Sequence, residues 1–252
     1  MMKSLRWLAL TMFAGPFVLA AGTADTLVQQ ALNAEAHLDA KTALSLFLQA
    51  DAARPNDPFI LQAISKQYAD SIDDTADTGE QTHLATEAVI YAKRAVALEP
   101  KSAVNVLSLA ISYGKLGFCS STRAEIEYSR LVKEYAEQAI ALDPNYDWAY
   151  HVLGRWNYEV ASLGATKRFF AKLIYGGLPP ASTAEAVRLL RRAVRLAPQI
   201  ASHHVELGFA YLADKQPELA RVEFKKALAM PLHEKYDGEE KVRAQAALEK
   251  LP

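Results

Sequence analysis

One short block recurs along the chain and constrains nearly everything else. It runs from an alanine through a bulky apolar residue to a proline: Ala95-Val-Ala-Leu-Glu-Pro100, Ala139-Ile-Ala-Leu-Asp-Pro144, Ala193-Val-Arg-Leu-Ala-Pro198 and, one residue shorter, Ala227-Leu-Ala-Met-Pro231. Ala50 with Pro55 is a degenerate first copy. Such a period means stacked helical hairpins, each too small to bury its own apolar face, so that stability comes from neighbour contacts and the product is an extended surface.

The last copy fixes the repeat type. Leu207, Gly208, Tyr211, Ala220, Phe224, Ala227 and Pro231 resemble the tetratricopeptide (TPR) pattern. Small residues at Gly208 and Ala220 let two helices approach, Tyr211 and Phe224 fill the space between hairpins, and Pro231 ends the second helix for want of an amide proton. The same roles fall on Ala43, Phe47, Ala50 and Pro55; on Ala88, Ala92, Ala95 and Pro100; on Val132, Ala136, Ala139 and Pro144; and on Ala186, Leu190, Ala193 and Pro198. The fold class expected is all-α, a TPR-like right-handed superhelix of about five hairpins with repeats at 25–57, 58–101, 102–145, 146–199 and 200–231 and a capping helix at 234–250.

The repeats are longer than the standard of about 34 residues, because the stop prolines at 55, 100, 144 and 198 lie 45, 44 and 54 residues apart. With the second-helix code unbroken, the added residues are expected between the two helices of a hairpin, in longer first helices or extended turns. The largest insertion, residues 163–183, carries Gly176-Gly177-Leu178-Pro179-Pro180, which no helix interior tolerates.

Ahead of the repeats, Lys3 and Arg6 precede an apolar run from Trp7 to Ala20, followed by small residues at Ala20, Ala21, Gly22 and Ala24. That order predicts a secretory signal peptide over residues 1–24, cleaved after Ala20 or Ala24, with the periplasm as destination. The run is shorter than the ~20 residues a membrane-spanning helix needs. An uncleaved anchor or an amphipathic first helix is the alternative. A single cysteine, Cys119, allows no internal disulfide and reads as an apolar filler.

A net charge of -1 argues against general nucleic-acid binding. The charge is uneven, however. Acidic residues gather at Asp70, Asp73, Asp74, Asp77 and Glu80, and basic ones run from Lys167 to Arg195. Arg188, Arg191, Arg192 and Arg195 recur at helical steps and form one stripe opposite Ala186, Leu190 and Ala193. A solvated charge row is one reading, and an anionic membrane surface or acidic partner the other.

TPR arrays usually bind through the concave surface lined by first helices. Registering the repeats places Val28, Leu32, Glu35, Phe59, Gln62 and Lys66 there, followed by Val104, Leu107 and Ile111, then Trp148, His151, Arg155 and Tyr158, and finally Val205, Phe209 and Leu212. Lys66, Leu107, Ile111, Trp148, His151, Arg155, Tyr158 and Phe209 are the candidate groove. An apolar trough with polar heads suits an amphipathic helix, an amphiphile or a phospholipid. Alternatively, Phe169, Phe170, Leu173, Ile174 and Tyr175 of the insertion fill the trough as ordinary core.

The segment Tyr150-His-Val-Leu-Gly-Arg-Trp-Asn-Tyr-Glu-Val-Ala161, with Tyr175-Gly-Gly-Leu-Pro-Pro-Ala-Ser-Thr-Ala-Glu-Ala186, resembles the signature of the regulator of microtubule dynamics family. The match is dense over about Tyr146 to Pro198. It departs from the family at Ala165-Thr166-Lys167-Arg168-Phe169-Phe170, where a Trp and an Arg-Lys pair usually stand. The resemblance implies a non-enzymatic TPR-like domain, some of whose relatives bind and transfer phospholipid. It carries over to Gly154, Arg155, Trp156, Tyr158, Glu159, Pro179 and Pro180 as the element that pins the inserted loop, with Arg155 and Glu159 able to pair one turn apart.

No metalloprotease His-Glu-x-x-His, phosphate-binding glycine loop or Gly-x-Ser-x-Gly occurs. His203-His204 points its rings to different helix faces and makes a poor metal pair, and no cofactor is expected. The sequence therefore reads as an exported binding solenoid, a scaffold for a protein or peptide partner, with a hydrophobic ligand or phospholipid as the alternative.

Overall fold

The computed structural model describes residues 16–164, 171–174, 176–232, 235 and 237–251, with side chains described from residue 22 onward. Among the described residues, five helical hairpins follow one another: α1 (Pro16–Ala36) with α2 (Ala40–Ala53), α3 (Pro58–Ser71) with α4 (Thr78–Leu98), α5 (Ala103–Phe118) with α6 (Thr122–Leu142), α7 (Asp147–Ala161) with α8 (Thr183–Leu196), and α9 (Ala201–Ala213) with α10 (Pro217–Ala229). A last helix, α11 (Asp237–Glu249), packs on α9 and α10. The chain is an all-α TPR-like superhelix.

The recurring block works through its alanines. Ala50, Ala95, Ala139, Ala193 and Ala227 are each wholly buried, and each carbonyl accepts the backbone N–H of the residue that closes its helix. Four of those closing residues, Arg54, Glu99, Asp143 and Ala197, precede a proline and sit near φ -130° to -138°, outside the α region. Proline disfavours helical geometry in the residue before it, so helix end and repeat boundary coincide. The next first helix is then nucleated by a cap: Asp57 accepts from the Phe59 and Ile60 N–H groups, and Ser102 from Asn105 N–H.

The extra length lies in a different place from the one expected. First helices α3 and α5 have 14 and 16 residues, whereas second helices α4 and α6 have 21 each. The α5–α6 turn is only Cys119 to Ser121. The second helices are lengthened at their N-terminal ends, where Asp77 caps α4 by accepting from Glu80 N–H. Among the described hairpins, the α7–α8 connection alone carries a long insertion.

Consecutive first helices touch, α3 on α5, α5 on α7 and α7 on α9, while the second helices make no comparable contact from hairpin to hairpin. First helices therefore line the inner curve. The curvature is strong enough for Lys235, between α10 and α11, to reach back to α3, donating to Asp70 O and Asp74 Oδ2 at 2.6 Å each. The region predicted as an export signal lies mostly outside the described residues; α1 runs from Pro16 through Ala20 and Ala24 without interruption. No described helix is long and apolar enough to cross a membrane.

Candidate functional site

The inner face divides into residues that line it and residues that hold it together. Lys66, Ile111, Trp148, Arg155 and Phe209 are partly exposed on it. Leu107, His151 and Tyr158, expected in the groove, are buried instead, as are Val28 and Val205. The reason is geometric. A first helix is covered on one side by its own second helix and on the next by the neighbouring first helix, which leaves only a narrow strip for the groove.

Ion pairs knit the strip. Lys66 Nζ bridges Glu35 at 2.7 Å and Asp70 at 3.1 Å, and Lys115 meets Asp73 at 2.6 Å. Arg155 Nε donates to Glu159 Oε1 at 2.8 Å, and its Nη1 lies 3.7 Å from Glu206. Glu206 is wholly buried. It accepts from the Tyr158 hydroxyl and, at 3.2 Å, from Arg243 of α11. Burial works against the Arg155 cation, but Glu206 and Glu159 outweigh it and hold the guanidinium charged. Burial, then Glu206, raises the Tyr158 hydroxyl well above its ordinary range. Glu240 of α11 is pushed up to about 7, first by burial and then by Glu206.

A second buried set runs beside it. Asp147 Oδ2 accepts from His203 Nε2 at 2.8 Å, and His203 Nδ1 faces His151 Nδ1 at 3.0 Å. A carboxylate can only accept, so His203 carries a proton on Nε2, and a single hydrogen bond links the two Nδ1 atoms. Burial, then His203 and Arg155, holds His151 well below the usual histidine range, so it stays neutral. Trp148 covers the pair, its ring 4.8 Å from each imidazole. His204 turns away to Glu223 at 2.6 Å and to Pro198 O, and no described group of three ligating residues could hold a metal.

The motif residues are structural. Gly154 brings α7 against α8: a Cβ there would lie 2.6 Å from Leu190 Cγ. Trp156 is buried and donates to Ser129 Oγ on α6 at 2.9 Å. The inserted loop is pinned by a different residue, Arg130 of α6, whose Nη2 donates to Gly177 O at 2.6 Å. Gly176 and Gly177, at φ 76° and 86°, allow the turn that presents this carbonyl. The motif itself reaches the loop through Asn157, which accepts from Ser182 N–H at 3.4 Å. Pro179 is partly buried and Pro180 exposed. Leu173 and Ile174 are exposed, so they do not fill the trough; Phe169, Phe170 and Tyr175, like Lys167 and Arg168, lie outside the described residues.

On the outer face, Arg188 forks onto Glu185 and Arg192 reaches Asn145 at 3.2 Å and lies over Tyr150. Arg191 and Arg195 project to solvent. Between α9 and α11 opens a cleft of about 520 Å³, walled by Phe209, Leu212 and Ala247, with Arg243 and Lys250 at its rim.

The profile described as Regulator of microtubule dynamics protein 1-3 matches residues 23–252. The chain belongs to that family. It is similar to Regulator of microtubule dynamics protein 1 of Bos taurus, 31% identical over 159 residues, or 63% of this chain and 50% of that one. The Homo sapiens protein 1 is 32% identical over 160 residues, 63% and 51% of the two chains. The chain thus spans about half the length of the relatives it matches. A solved TPR protein of Thermus thermophilus has the same fold, with a TM-score of 0.65 at 18% identity, covering 89% of this chain and 98% of that one.

Three features escaped sequence reading: Glu206, Arg243 and Arg130. Glu206 had a signal, as the single acidic residue inside the otherwise apolar helical stretch Val205-Glu-Leu-Gly-Phe-Ala210.

Proposed function

We propose that this chain is a non-enzymatic scaffold that holds a protein or peptide partner on its inner face, across Ile111, Trp148 and Phe209. The observation that carries this reading is the contrast within the first helices: these large side chains stay partly exposed on a rigid strip whose charges are already paired. A partner can bury their apolar area without stripping water from unpaired ions. A photo-cross-linking residue placed at Ile111 or Phe209 in the full chain should trap one discrete partner, which a probe at Arg191 on the outer face should not. Trp148→Ala should reduce the yield at least fivefold. Equal yields from both faces would defeat the proposal.

A hydrophobic ligand such as phospholipid is the second reading, favoured by the cleft between α9 and α11 with its apolar wall and cationic rim. Organic extraction of detergent-free protein and mass spectrometry tests it: stoichiometric lipid, lost in Phe209→Asp, supports it, and a clean extract removes it. The charged start, apolar run and small residues of segment 1–24 support export to the periplasm. Immunodetection of the mature chain in a periplasmic extract, with mass spectrometry placing its new N-terminus near Ala20 or Ala24, is the expected result.

A further inference from the structure

Helix α11 covers part of the inner face. It forms the second wall of the cleft of about 520 Å³, with Phe209 and Leu212 of α9 on one side and Arg243, Ala246 and Ala247 on the other. The Arg243 guanidinium lies over the Phe209 ring, 4.7 Å from its centroid. A partner that closes on Phe209 has to displace α11.

The seat of α11 holds little apolar area. Its buried residues are Asp237, Glu240 and Ala244, of which only the alanine is apolar. Polar contacts supply the rest: Ser202 Oγ donates to Asp237 Oδ1 at 2.8 Å, and Arg243 Nη1 to Glu206 Oε1 at 3.2 Å. Segments with few buried apolar contacts open locally at a cost well below that of global unfolding.

Glu240 sets that cost. Its Oε2 is buried without a hydrogen-bond partner. Facing it are Glu206 and Ser202 of α9, Arg155 of α7 and Arg243 of its own helix. Arg155 is engaged by Glu159 and Glu206, Arg243 by Glu206, and the Tyr158 hydroxyl donates to Glu206 as well. Two cations thus meet two carboxylates. An ionised Glu240 would be a third carboxylate, buried and with no cation of its own, which the interior penalises and water does not.

We propose that α11 is a proton-controlled cover on the Phe209 end of the inner face, closed while Glu240 carries its proton and released when Glu240 ionises, so that a peptide partner gains access to Phe209 and Leu212. The inference rests on the peptide-partner reading above and adds the regulation of that site. A value of about 7 in the closed position and the ordinary 4.5 in the open one raises the open fraction about 25-fold between pH 5.5 and pH 8.0. The affinity of a partner that needs the open form rises by the same factor while the closed form predominates.

The test uses the full chain with Cys119→Ser and Ala244→Cys, since Ala244 is wholly buried under the closed cover. The probe is 5,5′-dithiobis(2-nitrobenzoate), with labelling rates corrected for the thiolate fraction. The corrected rate should rise about 25-fold from pH 5.5 to pH 8.0, and adding Glu240→Gln should hold it near its pH 5.5 value. Should the new thiol disturb the packing, 4-fluorophenylalanine at position 209 supplies the same comparison. Its fluorine signal should move with pH in the parent and stay fixed in Glu240→Gln, while the same label at Phe59 stays fixed in both.

A flat labelling rate, or an equal rise with Glu240→Gln, would overturn the proposal. The cross-linking residue at Ile111, away from α11, separates it from the scaffold reading. A partner trapped there more strongly at pH 8.0 than at pH 5.5, with the difference gone in Glu240→Gln, supports both. A partner trapped equally at both pH values sinks the cover and leaves the scaffold standing. If labelling responds but no partner is trapped at either pH, the scaffold reading falls and the movement of α11 stands.

Discussion

The first three hairpins and the last two share one second-helix code but are joined by different chemistry. At the buried contact of α3, α4 and α5 the seam is made of small neutral groups, with the Lys115–Asp73 ion pair at its partly exposed end. Ser65 Oγ donates to Ala88 O at 2.9 Å and contacts Ser112 Oγ at 3.1 Å, and Ser108 Oγ donates to Ser65 at 3.2 Å. Between α7, α9 and α11 the seam is ionisable, built on Asp147, His151, Tyr158, His203, Glu206, Glu240 and Arg243. Neutral seams are insensitive to pH and tolerate loss of a partner. A buried ionic seam is costly to break, because removing one member strands the rest. The repeat code thus sets the architecture, and the first helices decide how each junction responds to its surroundings.

Glu206 is where this contrast should be most visible. Glu206→Leu leaves Arg155, Arg243 and the Tyr158 hydroxyl without their common acceptor and should cost about 3–5 kcal/mol in chemical denaturation. Ser65→Ala, at the centre of the neutral seam, should cost only about 1 kcal/mol. Comparable losses would erase the distinction.

Glycine substitutions sharpen it at the next level. A Cβ at Gly208 would overlap the Phe224 ring, and one at Gly154 would crowd Leu190, whereas one at Gly114 of α5 would meet Val132 Cγ2 at an ordinary 3.6 Å. Gly154→Ala and Gly208→Ala should each lose about 1–3 kcal/mol by overpacking. Gly114→Ala should gain roughly 0.5–1 kcal/mol from helix propensity.

The pH response follows from Glu240. Its folded-state value of about 7 stands above the ordinary 4.5, so the folded protein binds the proton more tightly than the unfolded chain. The resulting stability is present in full below about pH 4.5 and is lost as pH rises through about 7. Measured against the parent, Glu240→Gln should therefore gain on the order of 2 kcal/mol by pH 8 and little at pH 4.5. The smallest effect is reserved for the outer face, where Arg191→Glu and Arg195→Glu should each change stability by no more than about 0.5 kcal/mol.

How far the sequence revealed this depends on how local the information was. The alanine-to-proline block is read within six residues, and its physics is the pre-proline restriction, so the second helices and repeat boundaries were legible. The groove was less so. His151 and Tyr158 have the spacing of groove residues, yet a first helix buries two faces, and periodicity does not distinguish contact with the neighbouring hairpin from contact with a partner. The added length was misplaced because lengthening a second helix at its N-terminal end leaves its C-terminal code untouched. Arg130 with Gly177 and Lys235 with Asp74 join residues 47 and 161 positions apart. No local spacing records such pairs.

The most direct measurement of the difference between the two halves is native-state hydrogen exchange on the full chain at pH 5.5 and pH 8.0, corrected for intrinsic rates. Protection in α9 and α11 should fall about tenfold or more relative to that in α3 to α6 as the pH is raised. A uniform change along the chain, or one confined to α3 to α6, would contradict the assignment of the ionisable seam to the last two hairpins.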